Sequence, residues 1–224
     1  MESAVFGLVG VIIGAILTAA LTVLREIWFQ RRKDEKDREY LAVQVSGQLE
    51  RYVAGCVEVV RDYGLYQGQR NAHDQCEVQA EEPKFEPELL KVEWKSLPVG
   101  LMYEILDFPV RAEEAKRHAD SAYEHAFPPD YEDWFVERQY QYAKLGLAAS
   151  SLAAQLRDNV DLPARPAPDK YWNPLEFMAN RVSEVEQQRM KWEQEAAPWH
   201  TAAVISPTPG GWGSESPGAP PSNG

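Results

Sequence analysis

AVFGLVGVIIGAILTAALTVL, residues Ala4–Leu24, is the stretch on which the reading of the fold turns. It has twenty-one residues without one charged side chain, and twelve are Val, Ile, Leu or Phe. Wound as an α-helix it spans roughly 31 Å, the thickness of a bilayer's hydrocarbon core. On the insertion scale the twelve apolar side chains together favour the membrane by roughly 4 to 7 kcal/mol. The sequence therefore predicts a transmembrane helix over 4–24, preceded by a short outer N-terminus at 1–3. A cleaved secretory signal would need a basic n-region and a shorter apolar core, and this chain begins with Glu2.

Working outward, Arg25, Arg31, Arg32 and Lys33 follow the apolar run, with Trp28 and Phe29 among them. Basic residues stay on the cytoplasmic side and aromatic rings settle at the interface. The segment 25–39 is thus expected as a basic juxtamembrane stretch. The expected location is the inner membrane, single-pass, with the N-terminus outside and the C-terminal domain cytoplasmic. Within the run, Gly10 and Gly14 form a GxxxG pair. Small residues at that spacing let two helices approach closely, although Gly is also common in spans generally.

The net charge is −12. Nucleic acid is not expected as a partner, because phosphate binding requires a basic face. Lipid headgroups suit the one basic cluster. The two cysteines, Cys56 and Cys76, have no CxxC spacing and are expected as free thiols. No Walker loop, dinucleotide fingerprint, GxSxG elbow or HExxH occurs.

Residues 40–196 read as one helical domain with a polar loop at 67–83. Leu41, Val45, Leu49, Tyr52, Cys56, Val59 and Tyr63 recur at steps of three and four, which marks an amphipathic helix closed by Gly64 and Gly68. Pro98 is placed to open a second helix, which Pro109 should interrupt. Ala112, Ala115, Ala119, Ala122 and Ala126 form an alanine face on the helix after that. Asp130 is a candidate N-cap for a helix reaching Asn159, with core positions Phe135, Tyr142, Leu145, Ala149, Leu152 and Leu156. The last helix opens at Asn173, with Pro174 and Glu176 in capping-box positions and Trp172 and Phe177 as a hydrophobic staple. Pro198 is expected to end it, and 197–224, rich in Pro, Gly and Ser and carrying Trp199 and Trp212, reads as a disordered tail.

Glu114, His118 and His125 stand four and seven residues apart on one helix, so an unbroken helix would turn all three one way. They are the best metal or acid/base candidates, but a bundle metal site usually draws further Glu and His from facing helices. His73 and Cys76 in the loop lack a second ligand pair.

The plan of a glycine-containing N-terminal span, a basic Trp-containing stretch and an acidic helical domain with LGLAASSLAAQLRDNVDLP (Leu145–Pro163) resembles uncharacterised bacterial single-pass membrane-anchored proteins. That resemblance implies no activity. The expectation is an all-α protein: an N-terminal transmembrane helix, a cytoplasmic helical bundle and a disordered C-terminal tail. Its expected role is a non-enzymatic interaction or scaffold protein that holds a protein partner and uses no cofactor. Two alternatives remain: a self-associating membrane effector acting through Gly10 and Gly14, and a metal-dependent enzyme using Glu114, His118 and His125.

Overall fold

The computed structural model describes the backbone of residues 2–163, 165–166 and 171–203, and the side chains of 17–163, 165–166 and 171–195. Four α-helices run in chain order: α1 Glu2–Arg61, α2 Val99–Tyr123, α3 Glu132–Asn159 and α4 Pro174–Ala203. Two 3-10 turns, Pro87–Leu89 and Trp94–Ser96, lie between α1 and α2. Among the described residues there is no β-strand, and the architecture is a helical bundle.

Among the described residues no helix is long and apolar enough to cross a membrane. This corrects the transmembrane helix expected over 4–24 and the single-pass inner-membrane placement built on it. α1 runs without a break from Glu2 to Arg61, so Leu17–Leu24 continue directly as helix into Arg25 and the charged stretch after it. The side chains of residues 4–16, and with them the Gly10 and Gly14 pair, lie outside the described residues.

The chain forms two compact units, Met1–Val185 and Glu186–Gly224. In the first, α1 packs along α3, and α3 packs in turn on α2. The α1 seam is buried at Leu41, Val45, Leu49, Tyr52, Cys56 and Val59. It stops there because α1 ends at Arg61, leaving Tyr63 exposed beyond it. All six expected core positions of α3, from Phe135 to Leu156, are buried. Fully burying aliphatic side chains of this kind stabilises by roughly 1.5 to 3 kcal/mol each, which is what fixes the two helices together. Gly146 admits the third partner: a Cβ there would lie 2.5 Å from the Met178 sulfur of α4 and 3.0 Å from Cβ of Cys56 on α1.

Prolines interrupt less than expected. α2 runs straight through Pro109, and α4 passes Pro198 to end at Ala203. A proline removes one backbone hydrogen bond yet has the φ of a helix, and Ile105 and Phe108, both fully buried in the turn before Pro109, and Ala115, buried after it, hold α2 against the core. Pro98 is itself the N-cap residue of α2 and not its first turn. The alanine face is buried at Ala115 and Ala119.

The start of α3 also differs. Its N-cap residue is Tyr131, in a left-handed conformation with φ of 49°, and Asp130 instead pairs with Arg70. At α4 the capping pattern is realised: Asn173 Oδ1 accepts from the amides of Leu175 at 3.1 Å and Glu176 at 3.3 Å. Trp172 and Phe177 lie 5.1 Å apart, forming the staple.

The second unit is described over 186–203, where α4 continues and Met190 and Trp192 are exposed. Residues 204–224, including Trp212, and the side chain of Trp199 lie outside the described residues.

Candidate functional site

A buried ion pair sets the geometry of the molecule's chemistry. Asp62, the first residue after α1, and Arg138, in α3, each have side chains only 2 % exposed, and they pair at 3.2 Å. Charges so buried are stabilising only when their remaining hydrogen-bonding capacity is filled. Here the Asp62 carboxylate also accepts from the amides of Gly64 at 2.8 Å, Gln79 at 2.9 Å and Ala80 at 3.0 Å. Arg138 donates to the Ala80 carbonyl at 2.6 Å, and its Nε lies 4.0 Å from Glu82. Gln139 donates to the Asp62 carbonyl at 2.6 Å. Glu82 reaches outward to Lys116 at 2.8 Å, tying α2 to the same knot. Burial, then Glu82, pushes the Tyr142 phenol up.

This knot clamps both ends of the 62–82 segment against α3, and the segment closes one wall of an open cavity of about 540 Å³. Tyr123 at the end of α2, and Tyr131 and Trp134 at the start of α3, form the aromatic wall. Tyr123 stacks on Tyr131 at 5.4 Å with 19° between the planes, and meets Trp134 edge-on at 5.0 Å. The lining also includes Cys76 and Glu77 from the 62–82 segment and Asp120, one turn before Tyr123 on α2. Arg70, near this cavity, is taken up by Asp130 at 2.5 Å and Asp74 at 3.6 Å. Loss of water, then the Tyr123 phenol, raises the Tyr131 hydroxyl.

A second cavity, of about 450 Å³, lies where α1, α3 and the start of α4 meet. Val53, Ala153, Ala154, Trp172 and Leu175 make its floor and walls. The Arg61 guanidinium covers the Trp172 ring at 4.1 Å, Arg157 is held by Glu50 at 2.5 Å, and Arg165 stands on the rim.

Glu114 and His118 share a surface depression, but both are exposed, and the cations Arg111, Arg117 and Lys144 surround them. Such neighbours repel a metal ion. His125 is not on their face, because α2 ends at Tyr123 and His125 sits in the following turn, its amide bonded to the Ala122 carbonyl at 3.2 Å. Among the described residues no group of three or more His, Cys, Asp or Glu side chains is placed to hold a metal.

Both cysteines are free. Burial raises the Cys56 thiol, and burial with the Asp130 carboxylate raises that of Cys76 against the opposing pull of Arg70. Thiols held protonated are poor nucleophiles. His73 is exposed, and its amide, like that of Gln75, bonds to Asn71 Oδ1 in a loop-shaping turn.

The residues expected at a membrane interface are exposed on α1 at Arg25, Trp28, Phe29, Arg31, Arg32 and Lys33. Arg32 covers the Trp28 ring at 4.0 Å and Arg25 the Phe29 ring at 5.3 Å.

The buried pair was legible in one respect only. Arg138 stands at the step between Phe135 and Tyr142, and Asp62 at the next step after Val59, so each charge occupies an apolar register. Neither cavity had a signal, since their walls come from segments far apart in the chain. No protein-family model matches the chain, and no curated protein or solved structure matches it.

Proposed function

We propose that this chain is a non-enzymatic interaction protein whose helical body holds a short segment of a protein partner in the groove between α1, α3 and the start of α4. The observation that carries the reading is the groove itself: Trp172, Val53, Ala154 and Leu175 surround an apolar space large enough for one or two bulky side chains. Trp172 is 38 % exposed and Ala154 is open to solvent, so the wall is accessible. The rim gives the partner's chemistry. Glu50 takes up Arg157, Arg165 and Asp158 stand in the lining as one charge of each sign, and Arg61, over the Trp172 ring, pairs with Glu58 at 3.8 Å, so the charges around the groove balance. A charge-balanced rim around an apolar floor selects a segment by its bulky apolar side chains.

The test places a photo-crosslinking residue at Ala154, and a control at His118 on the outer face of α2, in the full chain inside cells. The reading expects one heterologous adduct from position 154, absent from position 118 and abolished by Leu175→Glu. Identical adducts from both positions, or only adducts between copies of this chain, would refute it.

A further inference from the structure

We propose that the cavity lined by Tyr123, Tyr131 and Trp134 together with Glu77 and Asp120 is a binding site for a small quaternary ammonium ion. This site is separate from the apolar groove and does not depend on it.

Three independent features converge there. First, the wall is aromatic and open: Tyr123 is half exposed, and three rings border one cavity of about 540 Å³, ample for a trimethylammonium group. Ring faces attract cations through their quadrupoles, with Trp and Tyr the strongest. Secondly, two carboxylates line the cavity and, among the described residues, neither forms an ion pair with a neighbouring cation, although Lys116 lies close enough to Asp120 to be influenced by its charge. Arg70 is engaged by Asp130 and Asp74, and Lys116, one turn before Asp120, is held at 2.8 Å by Glu82. Glu77 has only a long 3.5 Å bond from the neutral Asn71 amide.

Thirdly, the backbone holds an unfavourable conformation at the aromatic wall. Tyr131 is a non-glycine residue at φ of 49°, and this turn places its ring flat on Tyr123. Strain of this kind persists where the surroundings enforce it, and such positions cluster at ligand sites. Here the turn is held by backbone bonds, from the Tyr131 amide to the Phe127 carbonyl at 3.0 Å and from the Phe135 amide to the Tyr131 carbonyl at 3.1 Å, while the Cys76 amide ties the 62–82 segment to the Pro129 carbonyl at 2.9 Å.

A quaternary ammonium fits better than a primary one. A primary ammonium is strongly hydrated and needs three acceptors to replace its water. The methylated ion has no N–H to satisfy and gives up its water more easily, so ring faces and two carboxylates suffice.

The experiment is calorimetric titration of the full-length protein with choline, with ethanolamine, and with 3,3-dimethylbutanol, which has the shape of choline without its charge. Choline should bind at least about tenfold more tightly than either comparator. Tyr123→Leu, a change at an exposed position, and the pair Glu77→Gln with Asp120→Asn should each weaken choline by about tenfold with the circular dichroism spectrum unchanged. Equal binding of choline and its neutral analogue would show an apolar cavity instead and overturn the proposal. Absence of choline binding to the folded wild-type chain would overturn it as well.

Discussion

Replacing Asp62 with Ala should be the most damaging single change in the charged knot, and its cost can be worked from the geometry. The substitution removes the partner of Arg138, whose side chain is 2 % exposed, and strips acceptors from the amides of Gly64, Gln79 and Ala80. Breaking a buried pair from one side costs about 3 to 5 kcal/mol, because an uncompensated charge remains in the interior. An unpaired buried amide costs about 1 to 3 kcal/mol, but these terms overlap as the freed segment moves to find water. The expectation is therefore a loss of about 3 to 5 kcal/mol in urea-induced unfolding of the full-length chain, followed by circular dichroism. Hydrogen exchange adds a local readout: the amides of Gly64, Gln79 and Ala80 should lose protection before those of the α3 core. Arg138→Met in the same background should recover part of the loss, since it removes the stranded charge. A cost below about 1 kcal/mol for Asp62→Ala, or no recovery in the double variant, would refute the view that this pair is the clamp on the 62–82 segment.

Two further expectations follow from the same structure. Gly64→Ala should destabilise by more than about 2 kcal/mol in the same unfolding assay, because φ is 75° there and a Cβ would collide with the Phe135 ring and lie 2.8 Å from Cβ of Cys76; a neutral result would mean the turn is not held as described. Stability should also fall as pH rises above about 9, because burial raises the Cys56 thiol and the Tyr52 and Tyr142 phenols in the folded state, so the unfolded chain releases those protons first. Stability from these groups is fully present below their unfolded values and is lost on going upward. Tyr52→Phe, which removes a buried hydroxyl lacking a hydrogen-bond partner, should leave neutral-pH stability equal or higher and flatten the alkaline decline; an unchanged pH slope would contradict this.

Much of the helical body was readable in the chain. Step patterns of three and four picked out the buried faces of α1 and α3, from Leu41 to Val59 and from Phe135 to Leu156. Periodicity works for them because burial follows helical geometry, one residue at a time. The Asn173 cap and the Trp172–Phe177 staple were readable for a similar reason: their partners lie within five residues. The apolar run at 4–24 shows where pattern and structure part company. Its hydropathy predicted a span, yet among the described residues no helix is long and apolar enough to cross a membrane.

Local sequence by itself determined the buried faces of α1 and α3 and how α4 begins, since those outcomes depend on neighbours three or four residues away. Only the tertiary structure decided that Pro109 lies inside a helix, because distant core packing offsets its lost hydrogen bond. Only the tertiary structure, too, joined Asp62 to Arg138 across a separation of 76 residues and brought Tyr123, Tyr131 and Trp134 to one cavity with Glu77. A charge in an apolar register announces that it needs a partner; which residue answers depends on how the chain returns through space.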